Sequence, residues 1–543
     1  MPKIKLDGKI LEVEAGKTIL QVAAENGKEI PHYCYHPKLS IAGNCRMCLV
    51  EVQGMPKLQT ACSTPIGNAP PHRKIDEEFD MVISTKTEEV VESQKSIMEF
   101  LLLNHPLDCP VCDQAGECKL QDYSYDYGRG FRRAIEDKTP KPKKDLGPNI
   151  SLYTQRCILC SRCVRFCDEI VGEHELAIAN RGHKDEIVTY PGKPLKNRLS
   201  GNVADICPVG ALVTKDFLFS ARVWNLKHTK SVCTGCSAGC NIEVAHLDDK
   251  VKRFKPRENE EVNEVWICDD GRFGYHAIQE VERVKKPRKI DANGNQVDTN
   301  LRDAISEIVE KVSQVKKVWR AKSIGFLGSA HASNEENFLL NKFANKIIGS
   351  HNVGLRAPEI TEDEVEFKAG FKIYGDKTPN RKGASQILKA ENAYQVYNKI
   401  KHGEIKVLFV LGGIPEGGFL PEEEELFKKL DLLVVIDYQD SDLTKSAHYA
   451  LGGKNYFEKQ GTFTNVQGRV QRFSQAVSSQ GSFLSDIEIL QELMTAFDSH
   501  WKEMMPSEIL IQIAKEVKEY KGMSLFKIGD LGMLQPQEVL ETV

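Results

Sequence analysis

The 543-residue chain lacks any apolar run long enough to cross a bilayer. Its longest, near Ile97 to Leu103 and Leu432 to Ile436, fall far short of the roughly 20 residues a spanning helix needs. Any membrane association is therefore expected to run through partners. An excess of one charge is lacking too: 73 Lys and Arg face 77 Asp and Glu, so no broad field advertises a nucleic acid or an anionic lipid surface as ligand. The opening MPKIKLDGKILEVEAGKTIL has neither the apolar core and small-residue cleavage site of an export signal nor the Arg/Ser-rich, acid-poor character of a transit peptide. Mature protein is expected from Met1. There is no fixed-period repeat and no low-complexity tract.

Cysteine is missing from everything after Cys268. All sixteen cysteines lie between Cys34 and Cys268, and without an export signal their close Cys-x-x-Cys groups favour metal binding over a disulfide framework.

The start reads as a small sheet with a helix: IKL, an Asp7-Gly8 hairpin turn, ILEV, then Thr18 capping ILQVAAEN, which stops at Gly27. That is a β-grasp opening. Strands are expected over Met47 to Val52 and Phe79 to Ser84, and an amphipathic helix over about Glu88 to Asn104, ended by Pro106. Lys138 to Pro148, rich in Pro and Lys, reads as a solvated linker. GRGFRR, Gly128 to Arg133, reads as a solvated turn rather than a partner-facing patch. A second polar stretch, Lys285 to Asn300, precedes an alternation of strands (SIGFLG, KVLFVLGG, DLLVVID) with helical segments, so the second half reads as α/β.

The cysteines fall into four sets. The first, Cys34-x10-Cys45-x2-Cys48-x13-Cys62, puts four thiolates on one long loop and its flanks, which suits a [2Fe-2S] cluster; zinc is the competing reading, but only one Cys-x2-Cys knuckle is present. The second, His105-x3-Cys109-x2-Cys112-x5-Cys118, supplies three thiolates and an imidazole for a [4Fe-4S] cube, since imidazole replaces thiolate on iron elsewhere. A histidine at a helix end is otherwise a cap or a surface residue.

The third set, Cys157-x2-Cys160-x2-Cys163-x3-Cys167, is the bacterial ferredoxin run with Asp168 where proline is expected, followed by a lone Cys207-Pro208. Counting back from Cys207 by the same spacing meets Asn197, Ser200 and Val203, so a second triplet is missing. Because the fourth cysteine of each run ligates the other cluster in two-cluster ferredoxins, Cys207 is expected to complete the cube of Cys157, Cys160 and Cys163. Cys167 then reads as a small buried hydrophobe. The fourth set, Cys233-x2-Cys236-x3-Cys240 with Cys268 after twenty-seven residues, again suits a [4Fe-4S] cube better than a tetrahedral zinc site. Outside these sets, GGIPEGG after KVLFVL is not the dinucleotide fingerprint G-x-G-x-x-G and reads as a strand-to-loop turn in a Rossmann-like sheet.

PHYCYHPKLSIAGNCRMCLVEV, NHPLDCPVCDQAGECKLQD and RCILCSRCVRFC closely resemble the three successive cluster motifs of a family, the large iron-sulfur (G) subunits of NADH-quinone oxidoreductase, respiratory complex I. CTGCSAGCNIEV, VNEVWICDDGRFGYH, SAHASNEEN and YFEKQGTFTNVQGRVQRF resemble the molybdopterin oxidoreductase superfamily. The resemblance implies a multidomain α+β and α/β chain. It would comprise an N-terminal β-grasp [2Fe-2S] ferredoxin domain (1–85), a one-His three-Cys [4Fe-4S] domain (86–137), a linker (138–148) and a [4Fe-4S] ferredoxin-like domain (149–225). A [4Fe-4S] domain of molybdopterin-oxidoreductase type (226–284) and a truncated, degenerate α/β domain of that superfamily (285–543) would follow. It implies the ligands already read, with one [2Fe-2S] and three [4Fe-4S] clusters. No cysteine ligand to molybdenum follows Cys268 and the C-terminal region is short, so the pterin site is expected to be vestigial and no molybdopterin is expected.

The function implied is an electron relay without a substrate site of its own. Electrons would pass from a flavin/NADH-binding partner towards quinone in a proton-translocating enzyme, among the other peripheral-arm subunits of complex I, on the cytoplasmic side of the bacterial inner membrane. No nucleic acid partner is implied. The rival is the iron-sulfur subunit of an NAD-linked formate dehydrogenase or hydrogenase, whose extra clusters or metal ligands have no counterpart here.

Overall fold

The computed structural model describes residues 1–67, 78–415, 417–479 and 484–536. The chain divides into two compact units, Met1–Leu226 with Phe367–Phe371 and Lys227–Glu366 with Lys372–Val543.

The first unit opens on the expected hairpin, β1 (Lys3–Leu6) and β2 (Lys9–Glu12). Asp7 and Gly8 both take positive φ, 45° and 88°, as a two-residue turn matched to strand twist requires. Thr18 forms a capping box with Gln21 at the start of α1 (Ile19–Glu25), which satisfies two backbone donors that the first turn leaves open. β3 (Leu49–Val52), β4 (Gln59–Thr60) and β5 (Met81–Ser84) complete a sheet in the order β2-β1-β5-β3-β4, with β1 and β5 parallel. Ile4, Leu6, Val50, Val52 and Ile83 from the sheet bury against Ile19, Leu20, Val22 and Ala23 of α1. This is the β-grasp layer.

α2 (Glu88–Leu102) ends two residues before the expected Asn104, and α3 (Lys119–Tyr127) lies against it. The segment 138–148, expected as a linker, carries a short strand, β6 (Lys143–Asp145), paired with β7 (Ile150–Tyr153). Its Lys138 Nζ donates to the open carbonyls of Leu102 and Leu103, at 2.7 and 3.0 Å, the favoured place for a cation at a helix C-terminus. α4 (Arg162–Phe166) and the hairpin β8 (Leu176–Ala179) and β9 (Glu186–Thr189) follow. α5 (Asn202–Asp205) then leads to β10 (Leu212–Thr214), which pairs with β7. GRGFRR is tied down by Arg129 and Arg133, which pair with Glu92 and Glu99 of α2.

The second unit begins with an antiparallel meander, β11 (Lys227–Val232), β12 (Asn241–Leu247) and β13 (Lys250–Pro256). The polar stretch from Lys285 forms the hairpin β14 (Arg288–Ile290) and β15 (Gln296–Asp298) at the edge of a seven-stranded sheet. The body of that sheet is parallel: β16 (Ile324–Ser329), β17 (Val353–Arg356), β18 (Val407–Leu411), β19 (Leu432–Ile436) and β20 (Tyr449–Leu451). Their spatial order is β20-β19-β18-β16-β17, a doubly wound sheet whose order reverses between β16 and β18. β16, β18 and β19 are buried along their whole length, which explains why they read as unbroken apolar runs. Phe326, Phe343 and Phe409 pack ring on ring at 5.1–5.3 Å among α6 (Leu301–Trp319), α7 (Asn334–Lys342), α9 (Asp486–Phe497) and α10 (Pro506–Glu516), while α8 (Arg381–Leu388) packs on α7. A small sheet of β21 (Gly461–Thr464), β22 (Arg469–Phe473) and β23 (Met533–Leu534) closes the unit. No helix among the described residues is long and apolar enough to cross a membrane.

Candidate metal centres

Cys34, Cys45 and Cys48 of the first set lie on the loop between α1 and β3. Cys48 immediately precedes β3, Cys62 follows β4, and the Ala61 N–H donates to the Cys48 carbonyl at 2.9 Å. Gly43 and Arg46 take positive φ, 61° and 60°, and so bend the loop back on itself. The Cys34 sulfur is hydrogen-bonded to the thiols of Cys45 and Cys62 and receives the backbone N–H groups of Cys45 and Asn44. Those donors hold Cys34 far below the ordinary thiol range, while Cys34 in turn pushes Cys45 and Cys62 up. Sulfurs this close are stable as thiolates only when something positive sits among them.

The second set starts where α2 ends. Pro106 cannot continue a helix, and the chain turns so that His105 is half-buried. Burial lowers its imidazole to about 4, which leaves it neutral at physiological pH, and its Nδ1 is buried without a hydrogen-bond partner. An uncharged imidazole nitrogen without a partner has the donor chemistry that a metal ligand needs. Cys109 opens a single helical turn, Cys112 closes it, and Cys118 precedes α3. Cys109 and Cys112 both act electrostatically on Cys118, which burial pushes up to about 11. A side chain at Gly210 would collide with the Cys112 sulfur, so the glycine is needed for this approach.

Cys157 and Cys160 of the third set lie on the turn between β7 and α4, Cys163 lies in α4, and Cys207 follows α5. Leu159 and Ser161, neither of them glycine, take φ of 55° and 61°, a cost accepted where the surroundings fix a functional loop. Cys157, Cys160, Cys163 and Cys207 line one cavity with Arg162 and the apolar side chains of Leu152, Ile187 and Leu212. Cys167 is not among the residues lining it. Burial raises Cys157 to about 12 and Cys160 to about 11. The Cys207 sulfur receives the backbone N–H groups of Leu212, Val209 and Ala211.

The fourth set joins the β11–β12 turn to a later helix. The Cys233 N–H donates to the Cys240 carbonyl at 2.8 Å, and the Cys268 sulfur accepts from the Gly271 N–H at 3.3 Å as the cap of a short helix, Asp269–Phe273. A Cβ at Gly271 would stand 2.8 Å from the Cys233 sulfur and 3.4 Å from that of Cys268. Cys233, Cys236 and Cys268 each act on Cys240, whose thiol burial holds far above its ordinary range. Among the described residues no three His, Cys, Asp or Glu side chains close to the geometry that holds a single metal ion.

Loops one and three are stitched together. Asn44 Nδ2 donates to the Leu159 carbonyl at 3.2 Å, and the Ser40 N–H to Glu169 Oε2 at 2.8 Å. Arg156 ties the second set to the third: its Nε donates to Asp108 at 2.9 Å and its Nη1 to the Gly210 carbonyl at 3.3 Å. The cysteine spacing gives no sign of these arginines or of Gly210 and Gly271. Arg162 and Arg165 stand in plain view inside SRCVRFC, but nothing in the spacing marks them.

The second unit has its own cavity at the carboxyl ends of β18 and β19, beside the switch point where open α/β sheets bind ligands. Leu411, Gly412, Gly413, Ile436, Asp437 and His331 border it. Glu416 of GGIPEGG lies outside the described residues; Gly412 abuts the Asp437 carboxylate, and Gly413 takes φ of 85°. The cavity is small, about 50 Å³, because Lys459 reaches in to bind Glu336 and Asp486 at 2.7 and 2.5 Å. That is room for a few waters.

The domains of this chain are those of a multidomain iron-sulfur protein. Residues 2–69 match the 2Fe-2S iron-sulfur cluster binding domain, 94–133 the NADH-ubiquinone oxidoreductase-G iron-sulfur binding region, and 147–213 the ferredoxin-like domain of NADH-quinone oxidoreductase subunit 3. Residues 226–280 match the molybdopterin oxidoreductase Fe4S4 domain and 361–496 molybdopterin oxidoreductase itself. More particularly, the chain is homologous to the G subunit of NADH-quinone oxidoreductase. It is 42% identical to that protein of Rickettsia conorii over 366 residues, 67% of this chain and 52% of the relative. To the mitochondrial NADH dehydrogenase [ubiquinone] iron-sulfur protein 1 of Solanum tuberosum it is 41% identical over 351 residues, 65% of this chain and 45% of the relative. The chain thus spans about half the length of these relatives. A solved NAD+-reducing [NiFe]-hydrogenase is 28% identical over 41% of this chain and 91% of its own, with a TM-score of 0.34.

Proposed function

We propose that this chain is the electron-relay subunit of an NADH-quinone oxidoreductase, passing electrons from a flavin that NADH has reduced in a partner subunit towards quinone. One observation carries the reading: each of the four sets falls inside its own matched iron-sulfur segment, and the four sulfurs of the third set line one cavity. Cys34, Cys45, Cys48 and Cys62 would hold a [2Fe-2S] cluster. His105 with Cys109, Cys112 and Cys118, Cys157 with Cys160, Cys163 and Cys207, and Cys233 with Cys236, Cys240 and Cys268 would hold three [4Fe-4S] clusters. Such clusters supply reversible one-electron carriers.

The chain's own residues do the rest. They present thiolates where backbone N–H groups already point, keep His105 neutral, and exclude water by burying all but Cys109 and, in part, Cys45 and Cys157. No molybdopterin is part of this reading. The partners are a flavin- and NADH-binding subunit and the other peripheral-arm subunits, and the chain works on the cytoplasmic side of a bacterial inner membrane, attached through them.

Iron, sulfide and zinc analysis with low-temperature EPR of the chain in its assembled complex tests the proposal. About fourteen irons per chain are expected from one two-iron and three four-iron clusters, with one [2Fe-2S] signal. Stoichiometric zinc with half that iron would sink it.

A further inference from the structure

α4 carries two arginines, Arg162 and Arg165, that reach from the third cysteine set into the first. Arg162 is only 7% exposed. Its Nη1 donates to the Ile206 carbonyl at 3.0 Å and its Nη2 to the Tyr35 carbonyl, the residues beside Cys207 and Cys34. The same side chain lines the cavity of the third set. Its Nε is buried and finds no hydrogen-bond partner. Arg165 repeats the pattern: its Nη2 donates to the carbonyls of Cys34 at 2.6 Å and Cys160 at 3.3 Å, its Nη1 to that of Ser40, and its Nε to Ser161 Oγ at 3.2 Å.

No carboxylate hydrogen-bonds to Arg162 among the described residues; its hydrogen bonds all go to neutral carbonyls. A buried guanidinium without a counter-ion is costly. Cys160 and Cys207 line the same cavity as Arg162, and the Tyr35 carbonyl that it binds adjoins Cys34, so the thiolates it serves belong to two different sets. A fixed cation beside a cluster favours its reduced, more negative form, and hydrogen bonds and charge around cluster sulfur set its potential.

We propose that Arg162, with Arg165 behind it, is a positioning residue shared by two clusters: it fixes the first cysteine set against the third, balances thiolate charge in both, and raises both reduction potentials together. The proposal rests on the ligand sets assigned above. EPR-monitored redox titration of the assembled complex tests it, using Arg162→Gln, Arg162→Lys and Arg165→Gln. Arg162→Gln is expected to move the [2Fe-2S] cluster and the Cys157/Cys160/Cys163/Cys207 cluster to lower potential while the other two stay put. Arg162→Lys, which keeps the cation, is expected to restore most of the shift. If Arg162→Gln does not assemble, Arg165→Gln must lower the same two potentials by a smaller step. Either potential unmoved in a Gln variant that keeps its iron, or a Lys variant displaced as far as the Gln variant, overturns the proposal. Clusters missing from the unmutated complex would instead defeat the ligand assignment itself.

Discussion

Cys163 and Cys167 stand one turn apart on a single helical stretch, yet they face different surroundings. Cys163 lines the cavity with Cys157, Cys160 and Cys207. Cys167 begins the π-helical turn Cys167–Val171, is fully buried, and has Glu175, Asp168 and Glu173 as its nearest charges. Burial raises its thiol as it raises those of Cys157, Cys160 and Cys163, so what sets Cys167 apart is its place outside the cavity that the other four sulfurs line. Cys207→Ala is therefore expected to remove one [4Fe-4S] EPR signal. Cys167→Ala should keep every cluster and cost roughly 1 kcal/mol, the scale of one small buried apolar group. The reverse outcome in the two spectra would overturn the assignment.

Lys459, Glu336 and Asp486 form a buried trio beside the second unit's cavity, with side chains 14%, 1% and 12% exposed. One ammonium serves two carboxylates: it holds Glu336 low, while burial still drives Asp486 up to about 7. Lys459→Met leaves both acids buried without a cation, so the unfolding transition of the second unit is expected to lose about 3–5 kcal/mol at pH 8. The loss should shrink at pH 5, where both acids can take up protons. A penalty that does not change with pH would show that packing, not charge, is what Lys459 supplies.

Much of this architecture is legible in the order of the residues. The Asp7-Gly8 turn, the Thr18 cap and the three buried strands around Phe326, Phe409 and Val434 follow from local rules that tertiary contacts do not override, and the cysteine spacings place the four sets. Less legible are interactions with no local signature. Lys138 and Lys143 to Asp145 read as linker because Pro and Lys are usually solvated, whereas their partners, Leu102 and Tyr153, lie elsewhere in the chain. Gly210 and Gly271 matter only because a sulfur from another segment meets them. Arg162 looks like an ordinary surface charge until the fold brings Tyr35 to it.

Glu335, on α7, gives a pH-dependent test of the second unit. It is fully buried, and its carboxylate accepts the Thr462 N–H and hydroxyl, both at 2.8 Å. Burial pushes it from 4.5 to about 7. The folded form thus holds a proton that the unfolded form has released across that window, so this group's contribution to stability falls as pH rises from 4.5 through 7. Glu335→Gln removes that dependence. Relative to the unmutated protein it should gain stability steadily across the window, by on the order of 3 kcal/mol at most. Parallel stability curves from pH 4 to 8 would contradict this.

The fourth cysteine set poses the sharpest question about the second unit, since the family it matches is named for a cofactor that the proposed function leaves out. Lys459 and the acids it binds line the cavity at the ends of β18 and β19. On the proposed reading a cluster at Cys233, Cys236, Cys240 and Cys268 passes its electrons to no acceptor within its own unit. What it can do is bind the β11–β12 turn to Cys268 and the helix that residue caps, adding metal-binding free energy to the folding of that region. The Cys236 sulfur also receives the backbone N–H groups of Ala238 and Tyr374, so the site orders a third segment. Cys236→Ser is expected to reduce the amount of assembled complex several-fold while leaving NADH-to-quinone turnover per assembled complex largely intact. Quantifying complex by flavin content and dividing activity by it separates the two effects. Complexes that assemble in normal amounts without this cluster, yet fail to pass electrons to quinone, would place it on the pathway and reverse the reading.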